Sequence, residues 1–362
     1  MTPGVMPGEL VSVVPKDQKN GVTIGQLEEI VEPCGQRRTP FCTSFEKCGG
    51  CDWQFIDYSY QVQLKKEIFL ECLKRIGKIN SECEPEIFSS PETGYRIRAQ
   101  IKVDPITKRT GFFRKKSNQI IEIKNCPLLS DSLNSILEQL DYTTQLIDKK
   151  KVRSINLLAG NNGRVASNPM IRGLTCHETE IKVGNFTFSV GGGSFFQSNA
   201  FLLNKLGTWA ASDISARKCL DLYGGCGFFS VLLNNCFDQV LLVENVASQV
   251  KYAKRNFRQN NAHNSKAFCG DVENSSSEQN IRNFGADCVI VDPPRPGLTR
   301  KVREWLAAIS PSTLLYVSCN PSTLARDAGF FVNSCGYKIA KSAVFDLYPN
   351  TYHLESALLL QK

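Results

Sequence analysis

The chain has 362 residues, a length that favours two or three domains with a buried core. Its hydrophobic content of 42%, its charged content of 22% and its modest net charge of +8 are ordinary for a globular protein, and no apolar run reaches the length of a membrane span. The first ten residues contain no basic segment followed by an apolar run, so we expect no secretory signal. The 15 cysteines are odd in number and scattered, which argues against a disulfide framework and favours a reducing cytoplasm where some thiols bind metal or react.

The first part of the chain predicts a β-hairpin followed by a helix. Residues 8–33 resemble two short strands around a turn at residues 16–21, where Asn-Gly is a strong hairpin signal. Two strands alone are marginally stable in water, so we expect this segment to lean on the rest of the chain or to belong to a small barrel. Apolar residues then recur at helical spacing over residues 57–77, and Gly77 can end that helix.

Three cysteines lie close together between these two segments, in the pattern Cys42-x5-Cys48-Gly-Gly-Cys51. The two glycines allow the backbone to fold tightly around an inorganic centre. Cys126, which precedes Pro127, is the best fourth ligand from a distant part of the chain. The spacing resembles ferredoxin-like cysteine runs and favours an iron–sulfur cluster. Tetrahedral zinc and free structural thiols are the alternatives.

A basic stretch follows between residues 94 and 124, where nine basic residues face two acidic ones. The nine are Arg96, Arg98, Lys102, Lys108, Arg109, Arg114, Lys115, Lys116 and Lys124. Such a patch can neutralise several phosphates of a nucleic acid, and an ordinary solvated hairpin face is the alternative. Strand-like runs alternate with one helical stretch, residues 128–140, up to residue 190, so we predict a mainly antiparallel domain.

From residue 191 onward, strands alternate with helices, which predicts an α/β fold with a doubly wound, mostly parallel sheet. The predicted strands cover residues 219–222, 240–246, 287–292 and 314–317, with one more ending at Cys269. The predicted helices include one ending near residue 211, one after the glycine-rich turn 224–227, one over 251–258 and one beginning at residue 323. A final buried strand is predicted to start at Glu355.

The glycine-rich turn at residues 224–227 indicates a nucleotide-like ligand, because it follows a strand and offers free backbone N–H groups at a helix start. Glu244 ends the next strand, where a carboxylate can hold ribose hydroxyls, and Asp271 follows the strand after that. Position 230 is Ser, so the third glycine of the dinucleotide pattern is missing. The pattern therefore suits a nucleoside ligand such as S-adenosylmethionine better than NAD. A purely structural turn is the alternative.

Cys319 follows a buried strand and precedes Asn320-Pro321, at the position where open α/β sheets bind ligands. Its alternative interpretation is an inert buried cysteine. Asp292, in a stiff Asp-Pro-Pro-Arg loop, lies beside the same predicted crevice and can help to position a flat ring. Glu355 is either ion-paired or a base. These residues fit one reaction on RNA: the Cys319 thiolate adds to C6 of uracil, C5 takes a methyl group, and Glu355 removes the C5 proton.

That chemistry makes two demands on the protein. The thiolate needs a depressed pKa or a nearby base, and the target ring must leave its stack to be reached. A DNA cytosine methyltransferase shares the thiolate chemistry and is an alternative. A redox protein that uses an iron–sulfur cluster to move electrons is another.

Over nearly its whole length, the chain resembles the iron–sulfur-bearing branch of the RNA uracil-5-methyltransferase family. The cysteine pattern with Cys126-Pro127 resembles the family's cluster site, and Phe196-Gln197-Ser198-Asn199 resembles its cofactor-contacting motif. Ser318-Cys319-Asn320-Pro321 matches the nucleophile motif, and His353-Leu354-Glu355 matches the motif that carries the base. The last two motifs together are highly specific.

The resemblance implies a set of cofactors and site residues. It implies a [4Fe-4S] cluster on Cys42, Cys48, Cys51 and Cys126, with Cys319 as nucleophile and Glu355 as proton acceptor. S-adenosylmethionine would be contacted by Gln197, Tyr223, Glu244, Asp271 and Asp292. The expected substrate is RNA, with 23S ribosomal RNA favoured by the iron–sulfur branch and transfer RNA as the alternative. A catalytically silent RNA-binding protein is a further alternative.

The resemblance also implies three domains in a cytoplasmic monomer. Residues 1–40 would form a partial β-barrel of the TRAM type, residues 41–190 the iron–sulfur and RNA-binding domain, and residues 191–362 the methyltransferase domain. Two departures stand out. Phe228 replaces an asparagine that contacts the cofactor in the family, and residues 1–33 resemble only the later half of the family's N-terminal barrel.

Overall fold

The computed structural model describes residues 2–19, 21–80, 83–140, 152–214, 216–275 and 278–362. The described strands form one eight-stranded sheet, one five-stranded sheet and two hairpins. Among the described residues, no helix is both long and apolar enough to cross a membrane.

The N-terminal hairpin consists of β1 (Leu10–Lys19) and β2 (Val22–Glu32), which pair antiparallel. Part of the turn predicted at residues 16–21 is strand instead, because β1 continues to Lys19, and Asn20 lies outside the described residues. Leu10 and Val31 are each 53% exposed, so the hairpin buries little of its apolar surface. Within the described part of the chain this sheet has only two strands, and the predicted barrel is not confirmed.

Helix α1 (Tyr58–Arg75) lies where apolar spacing predicts it. The Asp57 side chain caps its start by accepting a hydrogen bond from the Ser59 N–H at 2.9 Å. A short strand, β3 (Glu86–Phe88), follows α1.

The central part of the chain is mainly antiparallel, as predicted. Its five-stranded sheet has the order β6-β5-β4-β7-β8, and the hairpin β9-β10 follows it. The elements are β4 (Arg98–Asp104), β5 (Arg109–Phe113), β6 (Ile120–Ile121), α2 (Asp131–Gln139), β7 (Ser154–Ala159), β8 (Val165–Asn168), β9 (Glu178–Val183) and β10 (Phe186–Gly191). Helix α2 begins later than predicted, because Leu129 turns back to hydrogen-bond the Cys126 carbonyl.

The C-terminal part alternates strands and helices as predicted. The strands are β11 (Lys218–Leu222), β12 (Gln239–Glu244), β13 (Ser265–Cys269), β14 (Cys288–Val291), β15 (Thr313–Ser318), β16 (Lys338–Phe345) and β17 (Glu355–Gln361). The helices are α3 (Leu203–Ala211), α4 (Phe228–Leu232), α5 (Ala247–Gln259), α6 (Val272–Ser275), α7 (Gln279–Arg282), α8 (Arg300–Ile309) and α9 (Pro321–Cys335), with a 3-10 turn at Asn234–Cys236.

The large sheet has the order β13-β12-β11-β14-β15-β17-β16-β3 and is mixed rather than wholly parallel. Strands β11 to β15 are parallel, whereas β17 runs antiparallel to both β15 and β16. Every residue of β14 and β15 is buried, because helices and the central domain cover both faces. This double burial explains why these strands are continuous apolar runs in the sequence.

Helix α1 and strand β3 pack with the elements of the C-terminal part of the chain. Strand β3 pairs with β16 at the edge of the large sheet. Helix α1 packs on α9, where Gly77 and Gly329 allow the two backbones to meet. A Cβ at position 329 would lie 2.5 Å from the Gly77 carbonyl oxygen, so this crossing requires glycine.

Candidate active site

The register of two neighbouring strands brings Cys319 and Glu355 to the same edge of the sheet. In the antiparallel pair β15–β17, Ser318 lies opposite Ser356. Cys319 is the next residue after Ser318, and Glu355 the residue before Ser356, so the two lie side by side where β15 ends. The Ser356 hydroxyl donates a hydrogen bond to the Ser318 carbonyl oxygen at 3.2 Å and fixes this register.

Cys319 lies in the turn between β15 and α9. The Asn320 side chain caps α9 by accepting a hydrogen bond from the Ser322 N–H at 3.1 Å, and Pro321 is the first helical residue. The helix therefore starts two residues earlier than the sequence indicated. Its positive N-terminal end follows Cys319 directly, an arrangement that favours a thiolate.

The surroundings of Cys319 nevertheless oppose ionisation in the free protein. Burial, followed by the negative charges of Glu355 and Asp292, raises the pKa of the Cys319 thiol to about 11, whereas Arg295 acts in the opposite direction. The chemistry requires either a depressed pKa of the Cys319 thiol or a nearby base, and the first of these conditions is therefore not met. The other condition, a nearby base, is met by the two carboxylates.

Glu355 and Asp292 are neighbouring acids, of which Glu355 is buried and Asp292 half-buried. Glu355 is 2% exposed, and burial together with the charge of Asp292 raises its pKa well above the ordinary value. Burial, followed by the charge of Asp221, raises the pKa of Asp292 to about 7. Two neighbouring carboxylates in a dry site disfavour double ionisation, so the pair can hold and exchange a proton near neutral pH.

Gln197 reaches this pair from the turn before α3. Its Nε2 donates a hydrogen bond to Asp292 Oδ2 at 3.3 Å, while its Oε1 has no hydrogen-bond partner among the described residues. Phe196, the residue before it, is buried against Phe188 and Phe228, with ring centroids 5.6 and 5.7 Å away. Phe228 therefore belongs to an aromatic cluster with Phe188 and Phe196, which gives a structural reason for the phenylalanine at this position.

The glycine-rich turn lies at the carboxyl end of β11, on the same side of the sheet. Tyr223 has φ +61° and Gly227 has φ +88°, both in the left-handed region. For a bulky residue such as Tyr223 this conformation costs roughly 1–2 kcal/mol, and such strain is concentrated at functional turns. A Cβ at Gly227 would lie 2.9 Å from the Phe257 ring, so the turn needs glycine there for a second reason.

The predicted carboxylates lie at the ends of the next two strands, and both contact backbone N–H groups. Glu244 accepts hydrogen bonds from Gly225 N at 3.1 Å and from Val246 N at 2.8 Å, which ties β12 to the glycine-rich turn. Asp271 is exposed and accepts from Glu273 N at 2.7 Å, so it caps α6. Each carboxylate thus has a structural role besides any contact with a ligand.

Several buried oxygens in and beside these strands retain hydrogen-bonding capacity. Asp221 binds the Ser230 hydroxyl at 2.6 Å through Oδ2, but its Oδ1 has no partner among the described residues. The same holds within the described chain for Gln197 Oε1 and Glu355 Oε1. Buried acceptors of this kind normally find a donor. The set fits a nucleoside ligand that carries hydroxyl and amine donors.

His353 and Tyr348 complete the wall beside Glu355. The His353 ring nitrogens lie 3.3 and 3.4 Å from Arg295 Nη2, and burial followed by the charge of Arg295 lowers the pKa of His353 to about 4. His353 is therefore neutral at pH 7. The Tyr348 ring contacts His353 edge-on at 6.1 Å, and burial followed by the charge of Glu355 raises the pKa of Tyr348 to about 12. Sequence reasoning missed Tyr348, which no motif marked.

The four predicted cluster ligands line one cavity of about 310 Å³ beneath β4 and β5. Cys42, Cys48 and Cys51 approach it from one side, and Cys126 enters from the segment before α2. Gln54 braces the first group, since its Nε2 donates to Cys51 Sγ at 3.3 Å and its Oε1 accepts from Cys42 N at 3.1 Å.

Burial opposes the ionisation of three of the four thiols in this cavity. Burial raises the pKa of Cys48 and of Cys126, although the positive charge of Arg96 acts in the opposite direction. Burial also raises the pKa of Cys51, to about 12. In the part of the chain that the structure describes, no three His, Cys, Asp or Glu side chains are grouped closely enough to hold a metal ion. The predicted iron–sulfur cluster is therefore not shown by this arrangement, although a cavity lined by four free thiols is compatible with it.

The predicted basic patch divides into an inner and an outer part. Arg96 lines the cysteine cavity, and the Arg98 guanidinium lies 4.9 Å from the centre of the Phe195 ring. The exposed members are Lys108, Arg109, Arg114, Lys116 and Lys124. The β5–β6 hairpin, which carries Arg114 and Lys116, is joined to the cysteine segment, because Gly49 N donates to the Phe113 carbonyl at 2.9 Å and Lys115 N to the Lys47 carbonyl at 2.9 Å.

Comparison with known proteins gives one family and several relatives. The sequence profile described as tRNA (uracil-5-)-methyltransferase matches residues 175–362. A protein of Aeromonas hydrophila named 23S rRNA (uracil(1939)-C(5))-methyltransferase is 28% identical, covering 99% of this chain and 90% of its own. An RNA methyltransferase of Aquifex aeolicus is 30% identical, covering 98% of this chain and 91% of its own.

Among solved structures, the crystal structure of Pyrococcus abyssi tRNA (uracil-54, C5)-methyltransferase in complex with S-adenosyl-L-homocysteine superposes with a TM-score of 0.75. It covers 99% of this chain and 95% of its own chain at 24% sequence identity. The likeness therefore extends over the N-terminal, central and C-terminal parts of the fold.

Proposed function

Since the chain belongs to the tRNA (uracil-5-)-methyltransferase family and is an RNA uracil-C5 methyltransferase, we propose that it acts on a uridine of 23S ribosomal RNA, with Cys319 as nucleophile and Glu355 as base. The relatives named for 23S rRNA support this substrate, because they match over 99% of the chain. The structural neighbour named for transfer RNA is 24% identical, and its likeness concerns the fold.

The observation that carries the proposal is the β15–β17 register, which sets Cys319 beside Glu355. Cys319 loses its proton as its sulfur bonds to C6 of the uracil ring, and the C5–C6 double-bond electrons move towards the C4 carbonyl. Asp292, whose pKa is raised to about 7, accepts that proton, while Arg295 and the start of α9 favour the thiolate. Asp292 passes a proton on to solvent, so that the pair again holds one proton, on Asp292, and Glu355 is ionised for the second proton transfer.

S-adenosylmethionine supplies the electrophilic methyl group, which becomes bonded to C5. Gln197, Tyr223, Glu244, Asp271 and Asp292 would hold this cosubstrate at the strand ends. Glu355 then accepts the C5 proton, the double bond re-forms and the C6–sulfur bond breaks, which releases Cys319 as a thiolate that takes up a proton from Asp292. The raised pKa of Glu355 suits this role, because a weakly acidic carboxyl group is a stronger base once it is ionised.

Tritium release from RNA labelled at C5 of uridine tests both the reaction and the substrate. Fragments of 23S rRNA should release tritium in the presence of S-adenosylmethionine, and transfer RNA transcripts should release far less. The Cys319→Ser variant should be inactive, and Glu355→Gln should accumulate a covalent protein–RNA adduct that is visible on a denaturing gel. Release from transfer RNA alone would overturn the substrate, and an active Cys319→Ser variant would overturn the mechanism.

We further propose that Cys42, Cys48, Cys51 and Cys126 hold a [4Fe-4S] cluster. The donor set supports this, since four thiols and two glycines line one cavity and the positive charge of Arg96 partly opposes the rise that burial causes in the pKa of two of the thiols. Such a centre would join distant parts of the chain. Protein purified without oxygen should be brown and contain about four irons per chain. A colourless protein that contains one zinc would refute the cluster.

The RNA-binding surface that we propose consists of the exposed cations of the β5–β6 hairpin, together with the N-terminal hairpin as part of a barrel. Arg114 and Lys116 are exposed beside the cysteine cavity, and Lys115 lies over the Phe45 ring at 3.9 Å. Exposed cations held by a rigid hairpin can contact successive phosphates.

A further inference from the structure

The segment between β16 and β17, residues 346–354, carries Tyr348 and His353 and leads directly into Glu355. We call it the active-site loop. Asn350 lies at its middle, fully buried, with φ +66°. Asparagine tolerates the left-handed region better than most residues, but a buried asparagine also needs partners for its side-chain amide.

Every hydrogen-bonding group of Asn350 is used by residues from the N-terminal third of the chain. Its carbonyl oxygen accepts from both Asp52 N and Trp53 N at 3.0 Å. Its backbone N–H donates to Gln61 Oε1 at 2.8 Å, and its Oδ1 accepts from Gln61 Nε2 at 3.2 Å. Arg38 Nη2 also donates to Oδ1, at 3.1 Å, and Asn350 Nδ2 donates to the Glu92 carbonyl at 3.1 Å.

These contacts lead in two directions. Asp52 and Trp53 directly follow Cys51, whose thiol lines the cysteine cavity. On the other side, Thr351 Oγ1 donates to the Tyr348 carbonyl at 2.8 Å and accepts from His353 N at 3.2 Å.

We propose that Asn350 is a positioning residue through which the segment after Cys51 holds the active-site loop, and with it His353 and Glu355, in place for reaction. The inference rests on the proposed roles of Cys319 and Glu355. The coupling itself is a property of the folded chain and can be measured without RNA. Because such coupling is reciprocal, loosening either segment should loosen the other.

Asn350→Gly is the sharpest variant, since glycine accepts φ +66° without strain and only the side-chain amide is lost. Asn261→Gly is the matched control, because Asn261 has φ +57° but is exposed, after α5. Gln61→Met is a second variant that removes the partner amide at similar volume. It keeps the test decisive if Asn350→Gly fails to fold.

Backbone hydrogen exchange gives the structural readout. In Asn350→Gly, exchange should become about tenfold faster or more in peptides that cover residues 346–355 and also in those that cover residues 48–57, since losing a buried hydrogen bond costs about 1–3 kcal/mol. Gln61→Met should accelerate exchange in the same two regions. Asn261→Gly should leave both regions unchanged.

Kinetics gives the functional readout. Asn350→Gly should lower kcat about tenfold or more, while KM for S-adenosylmethionine stays within about twofold, because the residues proposed to hold that cosubstrate lie on other segments. Unchanged exchange at residues 346–355, or an unchanged kcat with faster exchange, would overturn the inference. A wild-type protein without activity on RNA would count against the proposed function, and the exchange experiment would still decide the coupling.

Discussion

At the scale of single residues, the site is defined by acids that burial has made weak. Cys319 follows the buried strand β15 and lies beside two carboxylates, so its sulfur is held as a thiol until a substrate alters its surroundings. Such a site protects the proposed nucleophile from adventitious alkylation and oxidation, since the thiolate is the reactive form. In the proposed mechanism, the reaction depends on proton transfer within the group formed by Cys319, Asp292 and Glu355.

The pH dependence of Cys319 alkylation tests this description. Iodoacetamide should modify Cys319 with a rate that rises about tenfold per pH unit above neutrality and levels off near pH 11, since burial and the two carboxylates raise the pKa of the thiol to about 11. In Glu355→Gln, the midpoint should move to lower pH because a charge that opposes the thiolate is gone. The measurement is mass spectrometry of the peptide that contains Cys319, with circular dichroism confirming the fold at each pH. A wild-type midpoint near that of a free cysteine, about 8.5, would contradict the assigned environment.

The residue scale also shows what sequence can and cannot identify. Cys319 and Glu355 could be found because they belong to recognisable motifs at the ends of apolar runs. Tyr348 and Asn350 could not, because their importance comes from contacts with residues far away in the chain. The pKa of Cys319 was also beyond reach, since it depends on the pairing of β15 with β17 and on the burial that follows.

At the scale of elements, the β5–β6 hairpin and the cysteine segment form a single unit. A backbone bridge pairs Cys48 with Arg114, and the Lys115 ammonium lies 3.9 Å from the centre of the Phe45 ring. The cations are thereby held on a rigid support instead of on a mobile turn. Lys115 is half-buried in this contact, so Arg114 and Lys116 are the members of the run that remain available to phosphates.

The double variant Arg114→Gln/Lys116→Gln should bind 23S rRNA fragments more weakly at low salt. Each lost phosphate contact lowers the slope of log K against log salt by roughly 0.7–0.9, so the slope should fall by about 1.5. Fluorescence anisotropy over a salt series measures this slope. The control Lys254→Gln/Lys266→Gln removes two exposed cations from another part of the chain, beside the edge strand β13, and should leave the slope nearly unchanged. Equal slopes for wild type and the hairpin variant would show that the hairpin cations do not contact RNA.

The elements were predicted unevenly, for physical reasons. Strands β14 and β15 were evident because burial on both faces demands a continuous apolar run. Strand β16 was missed because exposed residues alternate with half-buried ones over its first half, from Lys338, and this pattern resembles a loop. Strand β3 has only three residues and becomes a strand through its pairing with β16, which no local pattern encodes.

At the scale of the whole molecule, a buried ion pair joins α1 to the active-site loop. Lys65 Nζ lies 2.6 Å from Asp346 Oδ1, with side chains 0% and 2% exposed, and it also donates to the Tyr348 carbonyl at 3.0 Å. Burial works against both charges, since it lowers the pKa of Lys65 and raises that of Asp346. The pair is therefore sensitive to the loss of either member.

Lys65→Met should lower the free energy of unfolding by about 3–5 kcal/mol, because it leaves the Asp346 carboxylate buried without its cation. Lys65→Met/Asp346→Asn should recover part of that loss. Lys66→Met is the matched control, since the next residue forms an exposed ion pair with Glu84 that is worth less than about 1 kcal/mol. Urea unfolding followed by circular dichroism measures all three. Equal losses for Lys65→Met and Lys66→Met would show that burial does not govern the pair.

The contribution of the N-terminal half to the large sheet has a practical consequence. A fragment that begins where the family profile begins, at residue 175, would keep the parallel strands β11 to β15 but would lack β3 and α1. The unpaired backbone N–H and C=O groups of β16 would then be exposed, and an exposed strand edge of this kind promotes aggregation. We expect that half of the protein to be insoluble when it is expressed alone and to be rescued by co-expression of the preceding half. The C-terminal half, although it carries the proposed catalytic residues, is not expected to work as an independent module.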